Sequence, residues 1–444
     1  MSQQKNIEAL QSAAEFVLKE AKRLGASAAE AGVSHSQGLS VTVRQGDVET
    51  LEHNNDTGLA VTVYFGQSKA SASSSDLRPD ALTETVSHAC SIAKHTQPDP
   101  YAGLADAALM ATQIPDLSLY HPWSLEADEA IAIAMQCEQA GRDFDQRISN
   151  SEGASISSHH GQRVYANSHG FSGQVKSSRH SISCTLIATD SEGMQRDYWY
   201  DVTRDASDLS SAVQVGQTAA RHTLRRLDAK EITTGQYPVI FAAEIASSLF
   251  GQLIAAIRGS AQYRQSSFLL DHLGRQIFPE FIHIHEQPHL LKGLGSAAFD
   301  GEGVATQARD IVADGVLQGY VLDSYSARKL NMQTTANAGG VHNLTIDTGD
   351  LDFAGLLKEM DRGVIVTETM GMGSNIVTGD YSQGAAGFWV EDGQIQYPID
   401  EFTIAGRLPD MFMGIQAIAN DVDLRGNTRT GSVWIDRMTV AGQG

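Results

Sequence analysis

Short segments in which apolar and polar residues alternate, each closed by a glycine-containing turn, constrain this chain most. Leu39, Val41 and Val43 alternate with polar neighbours, Gly46-Asp47 turns the chain, and Leu59, Val61, Val63 and Phe65 alternate again. A period of two puts every second side chain on one face, as in a half-buried antiparallel strand. The 41 glycines have no collagen-like period and fall at the ends of such segments, as hairpins require.

Helical patterns flank these strands. Ile7, Leu10, Ala14, Val17, Ala21 and Leu24 recur at three and four before Gly25, and a second helix is expected over Pro79–His95, ahead of the breaker Gln97-Pro98-Asp99-Pro100. Residues 100–123, with Pro100, Pro115 and Pro122, read as a linker. A helix over Glu126–Ala140 follows, then strands with turns at His160-Gly161, Ser168-His169-Gly170 and Ser191-Glu192-Gly193, and a helix near Leu209–Leu227. Beyond it, strand Pro238–Phe241 feeds a helix over Ala242–Ile257. Hairpins are expected around Asp314-Gly315 and Asp392-Gly393, then a helix holding Met411, Ile415 and Ile418, and a strand over Ser432–Met438.

The predicted class is α+β: an N-terminal helix-flanked antiparallel sheet (1–100), a linker and strand-rich middle segment (101–232), and a mostly antiparallel β C-terminal domain (233–444). Within the last, Phe388 and Trp389 should face opposite ways and Glu391-Asp392-Gly393-Gln394 should form a hairpin tip.

A net charge of −21 repels a polyanion, so no nucleic-acid partner is expected. The one basic run, Arg221–Arg226, reads as the solvated face of a helix. No stretch reaches the ~20 apolar residues of a membrane span, and no signal-like segment follows Met1, so a cytoplasmic protein with no membrane partner is expected. Cys90, Cys137 and Cys184 form no Cys-x-x-Cys pair and read as buried, reduced thiols.

His285-Glu286-Gln287-Pro288-His289 matches His-Glu-x-x-His literally. That motif needs both imidazoles on one helical face, and Pro288 lacks an amide donor and breaks such a helix. Upstream, Phe281-Ile282-His283-Ile284 alternates like a strand, so His285, Glu286 and His289 read as a decoy. Gly293-Leu294-Gly295 and Gly371-Met372-Gly373 imitate a dinucleotide fingerprint but lack the strand-to-helix context and read as turns. His159-His160 beside Gly161 suits a metal ligand pair or a polar hairpin tip. Neither a Gly-x-Ser-x-Gly elbow nor a Walker lysine occurs.

Several segments together resemble the PmbA/TldE branch of the TldD/PmbA family. They are Gln45-Gly46-Asp47-Val48-Glu49, Val61-Thr62-Val63-Tyr64, Ser71-Ala72-Ser73-Ser74, Asn150-Ser151-Glu152-Gly153 and Ala166-Asn167-Ser168-His169-Gly170. Further along come Ser324-Tyr325-Ser326-Ala327-Arg328-Lys329-Leu330, the dense run Gly379–Val390, and Thr403-Ile404-Ala405-Gly406. The resemblance implies a cytoplasmic TldD–TldE complex that matures or degrades peptides. It also implies a TldD-like partner carrying zinc on His-Glu-x-x-x-His, at a helix start after a short strand, with a downstream cysteine. The matching place here is Phe241–Ser248, where the histidine positions fall on Ala243 and Ser248 and only Glu244 matches. No cysteine lies beyond Cys184, so no cofactor or metal is expected in this chain. The expected partners are the TldD-like subunit in a heterodimer, peptide substrates, held by strand addition at a sheet edge, and a second copy when isolated. Two other readings remain: a stand-alone metallopeptidase using His285 and His289, and a non-catalytic modulator of DNA gyrase or toxin action.

Overall fold

The computed structural model describes residues 3–191, 193–371 and 373–442, with side chains for all of these except 3–5 and 400. Expectations that fall on Glu192 and Met372 lie outside the described residues.

The first sheet is built from unusually long strands. Its strands are β1 (Ala28–Arg44), β2 (Asp47–Phe65), β3 (Ser68–Ser74), β4 (Ile148–Asn167), β5 (Ser172–Thr189) and β6 (Met194–Thr203). They pair antiparallel in the order β3-β2-β1-β4-β5-β6, so strands from 1–100 and from 101–232 share one sheet. Along β1, Ala29, Ala31, Val33, Leu39, Val41 and Val43 are all buried on one face. The alternation holds phase along β1, whereas β4 carries two bulges near its start, at Ile148/Asn150 and Ser151/Gly153. Helices α1 (Gln3–Arg23) and α2 (Pro79–His95) cover one half of that face, and α3 (Ala127–Arg142) and α4 (Ala212–Leu224) the other. Helix α2 starts with Pro79 in its first turn, where the missing amide costs nothing, and α4 starts with a Ser211/Gln214 capping box.

His159 and His160 do not form a hairpin tip. They sit in mid-strand in β4, with His159 opposite Gly38, where an added Cβ would lie 1.9 Å from the imidazole. The stretch read as a linker is also not solvated. Leu104, Met110, Leu117 and Leu119 are buried, and Leu117 and Leu119 pack with Tyr165 and Phe299 between the first sheet and the C-terminal unit. Cys90, Cys137 and Cys184 are free and buried, and Cys137 and Cys184 adjoin beneath α3.

The C-terminal unit contains two further sheets. In chain order its elements are β7 (Gly235–Phe241), α5 (Ala243–Ile257), α6 (Gly259–Tyr263), β8 (Ile284–Glu286), β9 (Arg309–Ala313), β10 (Val316–Leu317), α7 (Ser324–Lys329), β11 (Leu344–Ile346) and α8 (Phe353–Met360). There follow β12 (Gly363–Met370), β13 (Ser374–Asn375), β14 (Asp380–Glu391), β15 (Gln394–Arg407), α9 (Leu408–Met413), β16 (Ile415–Ile418), β17 (Thr428–Arg429) and β18 (Val433–Gly442). One sheet runs β12-β7-β18-β15-β14-β13, and because β12 also pairs with β14, five of its strands close into a ring. A five-stranded sheet, β10-β9-β8-β11-β17, packs with α5 into the same core as this ring. The β7–β12 and β11–β17 pairs are parallel and the other ladders antiparallel, an α+β fold.

Phe388 and Trp389 face opposite ways, Phe388 toward α8 and Trp389 into the core that includes α5. The β14–β15 hairpin turns at Asp392-Gly393, both at positive φ (56° and 67°), the backbone of a two-residue type I′ turn. The helix expected through Met411, Ile415 and Ile418 ends at Met413. Residues 415–418 are strand β16, paired with β18, and a register shift between Ile415 and Ala417 lets Ile415 and Ile418 both point inward.

Candidate functional site

Glu244 lies in the first turn of α5, directly after β7 in the closed sheet. Helix α5 has no side-chain cap of its own. Instead Ser432 Oγ accepts from the Ala243 amide at 3.0 Å and donates to Asp421 at 2.7 Å, fixing the strand-to-helix corner. Ala243 is buried and Ser248 is exposed on the same helix.

What surrounds Glu244 is cationic. Arg225, just past α4, brings Nη2 to 3.8 Å from Glu244 Oε1 and also donates to His222 Nδ1 at 3.1 Å. Burial, with Arg225, Arg425 and Arg221 nearby, pushes the His222 imidazole down to about 3, so it is neutral and free to accept that bond. Arg226 lies 2.5 Å from Glu368 and 3.8 Å from Asp197, and only 14 % of its side chain is exposed. Arg225 and Arg226, just past α4, are therefore ion-paired toward the C-terminal unit, while Arg221 stays on the exposed face of α4 as expected. Arg425 grips Asp423 with two donors and covers Trp199 at 3.9 Å and Tyr200 at 4.5 Å. Burial raises the Asp197 carboxyl. Sequence reading missed Arg425 because nothing in its neighbourhood marks it; it reaches the corner from 181 positions beyond Glu244.

This donor set does not fit zinc. At the two histidine positions stand a methyl group and an exposed hydroxyl, and the charge nearest Glu244 is a guanidinium. The remaining space beside Glu244, Trp199 and Arg425 is about 40 Å³.

The residues of the His-Glu-x-x-His match are scattered among separate tasks. Glu286 is buried and holds Arg309 Nε at 2.9 Å, Asn337 Nδ2 at 2.8 Å and the His342 amide at 2.6 Å. His289 lies 3.1 Å from Thr306 Oγ1, and His285 lies on β8 beside Asp347. The Gly293–Gly295 run is a loop pinned by Asn343, which accepts from the Gly295 amide at 2.9 Å and donates to Ser296 at 2.7 Å.

A larger cleft, about 700 Å³, lies between the outer face of the first sheet and the C-terminal unit. Glu30 and Arg163 line it from the sheet, and Asp300, Glu302 and His342 from the opposite wall. Tyr64 and Tyr165 both donate to Glu30, at 2.9 and 2.7 Å. Burial first, then Asp300 and Asp323, pushes the Glu302 carboxyl up to about 7, although the Ser324 amide donates to it at 3.0 Å.

Two sheet edges that strand addition could have used are closed. The β12–β14 pairing seals the ring. On edge strand β6, Asp197 and Asp201 accept from the amides of Tyr198 and Val202, and Arg425 donates to the Tyr200 carbonyl at 3.1 Å.

Three family models match in order. The PmbA/TldA metallopeptidase domain 1 matches residues 29–93, the central domain 120–227 and the C-terminal domain 234–442. Metalloprotease PmbA of Escherichia coli O157:H7 is 51 % identical over 415 residues, covering 94 % of this chain and 92 % of that protein. The chain belongs to the PmbA/TldD family. Among PmbA/TldD-like structures, a crystal structure described as a candidate modulator of DNA gyrase from Bacteroides thetaiotaomicron superposes with a TM-score of 0.93 at 29 % identity, covering 97 % of this chain and 98 % of that one. TldE from Thermococcus kodakarensis shares the fold, with a TM-score of 0.81 at 18 % identity over 97 % of this chain and all (100 %) of that one. The family places the chain among metallopeptidases.

Proposed function

We propose that this chain is the subunit without catalytic zinc in a cytoplasmic TldD–TldE-type metalloprotease that hydrolyses or matures peptides. The observation that carries this reading is the Glu244 corner, where Ala243 and Ser248 offer no imidazole and Arg225 stands next to the carboxylate. Catalytic zinc would come from a TldD-like partner in a heterodimer. A general base works on a metal-bound water whose pKa the metal has lowered, and without that water Glu244 has no proton to take. Its role here is to hold Arg225 and so the α4–α5 contact. The 700 Å³ cleft supplies space in this chain for an extended peptide or a partner segment.

Cytoplasmic location is supported by three free, buried thiols, and among the described residues no helix is long and apolar enough to cross a membrane. The test is hydrolysis of an unfolded peptide by this chain alone, by a TldD-like protein alone and by the two together. Turnover should require the TldD-like protein, and turnover by this chain alone would overturn the assignment.

A further inference from the structure

We propose that His283, His285, Asp310 and Asp347 form a divalent transition-metal site on the five-stranded sheet of the C-terminal unit. The donor atoms of His283, His285 and Asp310 all lie within 4.8 Å of one another, with His283 Nε2 3.0 Å from Asp310 Oδ1. From the other side, Asp347 Oδ1 reaches to 3.5 Å from His285 Nε2.

Three adjacent strands create this convergence. In His283-Ile284-His285 the central isoleucine is fully buried, so strand alternation sends both imidazoles to the opposite face, their ring centroids 5.4 Å apart. On β9 the pairing slips between Ile284↔Val312 and His285↔Asp310, which leaves Ile311 and Val312 both in the core. That bulge aims Asp310 at the histidine face. On β11, Ile346 pairs with Ile284, and the Asp347 amide then donates to the His283 carbonyl at 3.0 Å. A carboxylate therefore flanks the histidine pair on each side.

The donor chemistry selects the ion. Two imidazoles and two carboxylates suit Zn²⁺ and its neighbours, whereas Ca²⁺ and Mg²⁺ prefer all-oxygen shells and a soft ion would want thiolate. Metal bonds of about 2.0–2.2 Å in a tetrahedron bring donors to roughly 3.3 Å apart, so a spread of up to 4.8 Å must close by up to about 1.5 Å. The strands fix the histidines, while Asp310 and Asp347, each about half exposed (52 % and 51 %), can turn inward without disturbing the core. Their two charges neutralise the ion.

Chelator-stripped full-length chain should be titrated with ZnCl₂ by calorimetry, and with CoCl₂ to read the visible band of a tetrahedral N/O site. Wild type should bind one metal ion per chain. The double variant His283→Ala/His285→Ala should lose binding, Asp347→Asn should bind more weakly, and Glu244→Gln should bind as wild type does. Circular dichroism confirms that each variant is folded, and His283→Gln/His285→Gln serves as a second removal that keeps side-chain bulk. No saturable binding by wild type, or binding that persists in both double variants, overturns the proposal. Zinc held instead at the Glu244 corner would survive in the double variants and vanish in Glu244→Gln, so failure here and failure of the proposed function are distinguishable.

Discussion

Replacing Glu302 by glutamine should stabilise the protein at alkaline pH and have little effect at acid pH. The Glu302 carboxyl is raised from 4.5 to about 7, chiefly by burial in the cleft and then by Asp300 and Asp323. A carboxyl with a raised folded-state pKa keeps its full contribution below the unfolded value and loses it as pH climbs through the folded value. The loss therefore begins near pH 4.5 and is complete above about pH 7. Holding the proton from pH 4.5 up to about pH 7, at about 1.36 kcal/mol per pH unit, corresponds to about 3 kcal/mol. Glutamine keeps the acceptor for the Ser324 amide and carries no charge at any pH. Urea unfolding of both proteins, followed by tryptophan fluorescence from about pH 4.5 to 8, should show wild type falling below the variant progressively, by up to about 3 kcal/mol. A gap that stays constant across that range would refute the buried, proton-holding carboxyl.

Other expectations test the packing and the Glu244 corner. Gly387→Ala would put a Cβ 1.7 Å from the Ile365 carbonyl oxygen, a backbone atom at the β12–β14 closure. Thermal unfolding should show a loss of about 3 kcal/mol or more, and a near-neutral effect would mean the ring is not closed there. Leu253→Ala, in the fully buried face of α5, should cost about 2–5 kcal/mol in urea unfolding, whereas an effect below about 1 would show that α5 is not core. Nitrogen NMR should find His222 neutral throughout the physiological range, since its imidazole is held down to about 3; titration near the ordinary 6.5 would show that it is not enclosed by Trp199 and the arginines.

Helix α2 was legible because proline can open a helix and cannot follow its interior, so sequence bounds and structural bounds coincide at Pro79 and His95. The Asp392-Gly393 turn was legible because positive φ at two successive residues narrows the choice of side chains. Misreadings arose where a local pattern had two physical solutions. Met411, Ile415 and Ile418 are spaced like one helical face, but a bulge in a strand also brings Ile415 and Ile418 to the same side. His159-His160-Gly161 has turn composition, yet its glycine is needed in mid-strand, where an added Cβ would come 3.2 Å from the His35 carbonyl oxygen of β1.

The site was legible only where chain order carries it. Glu244 stands at a strand-to-helix corner and could be located by the resemblance. Arg425, His222 and Trp199 meet it through tertiary contacts that no spacing encodes. The His283–His285 pair did carry a signal, since two histidines two apart on a strand share a face.

Peptide turnover by an assembled complex carrying Glu244→Gln in this chain tests the central claim most directly. Assembly must be shown first by size-exclusion chromatography, because Glu244 also holds Arg225. The account predicts turnover close to that of the unaltered complex, while the corresponding substitution in the zinc-bearing partner removes about 100–10,000-fold, the usual cost of losing a general base. A loss of that size from Glu244→Gln in a correctly assembled complex would contradict the account and make this chain a catalytic subunit.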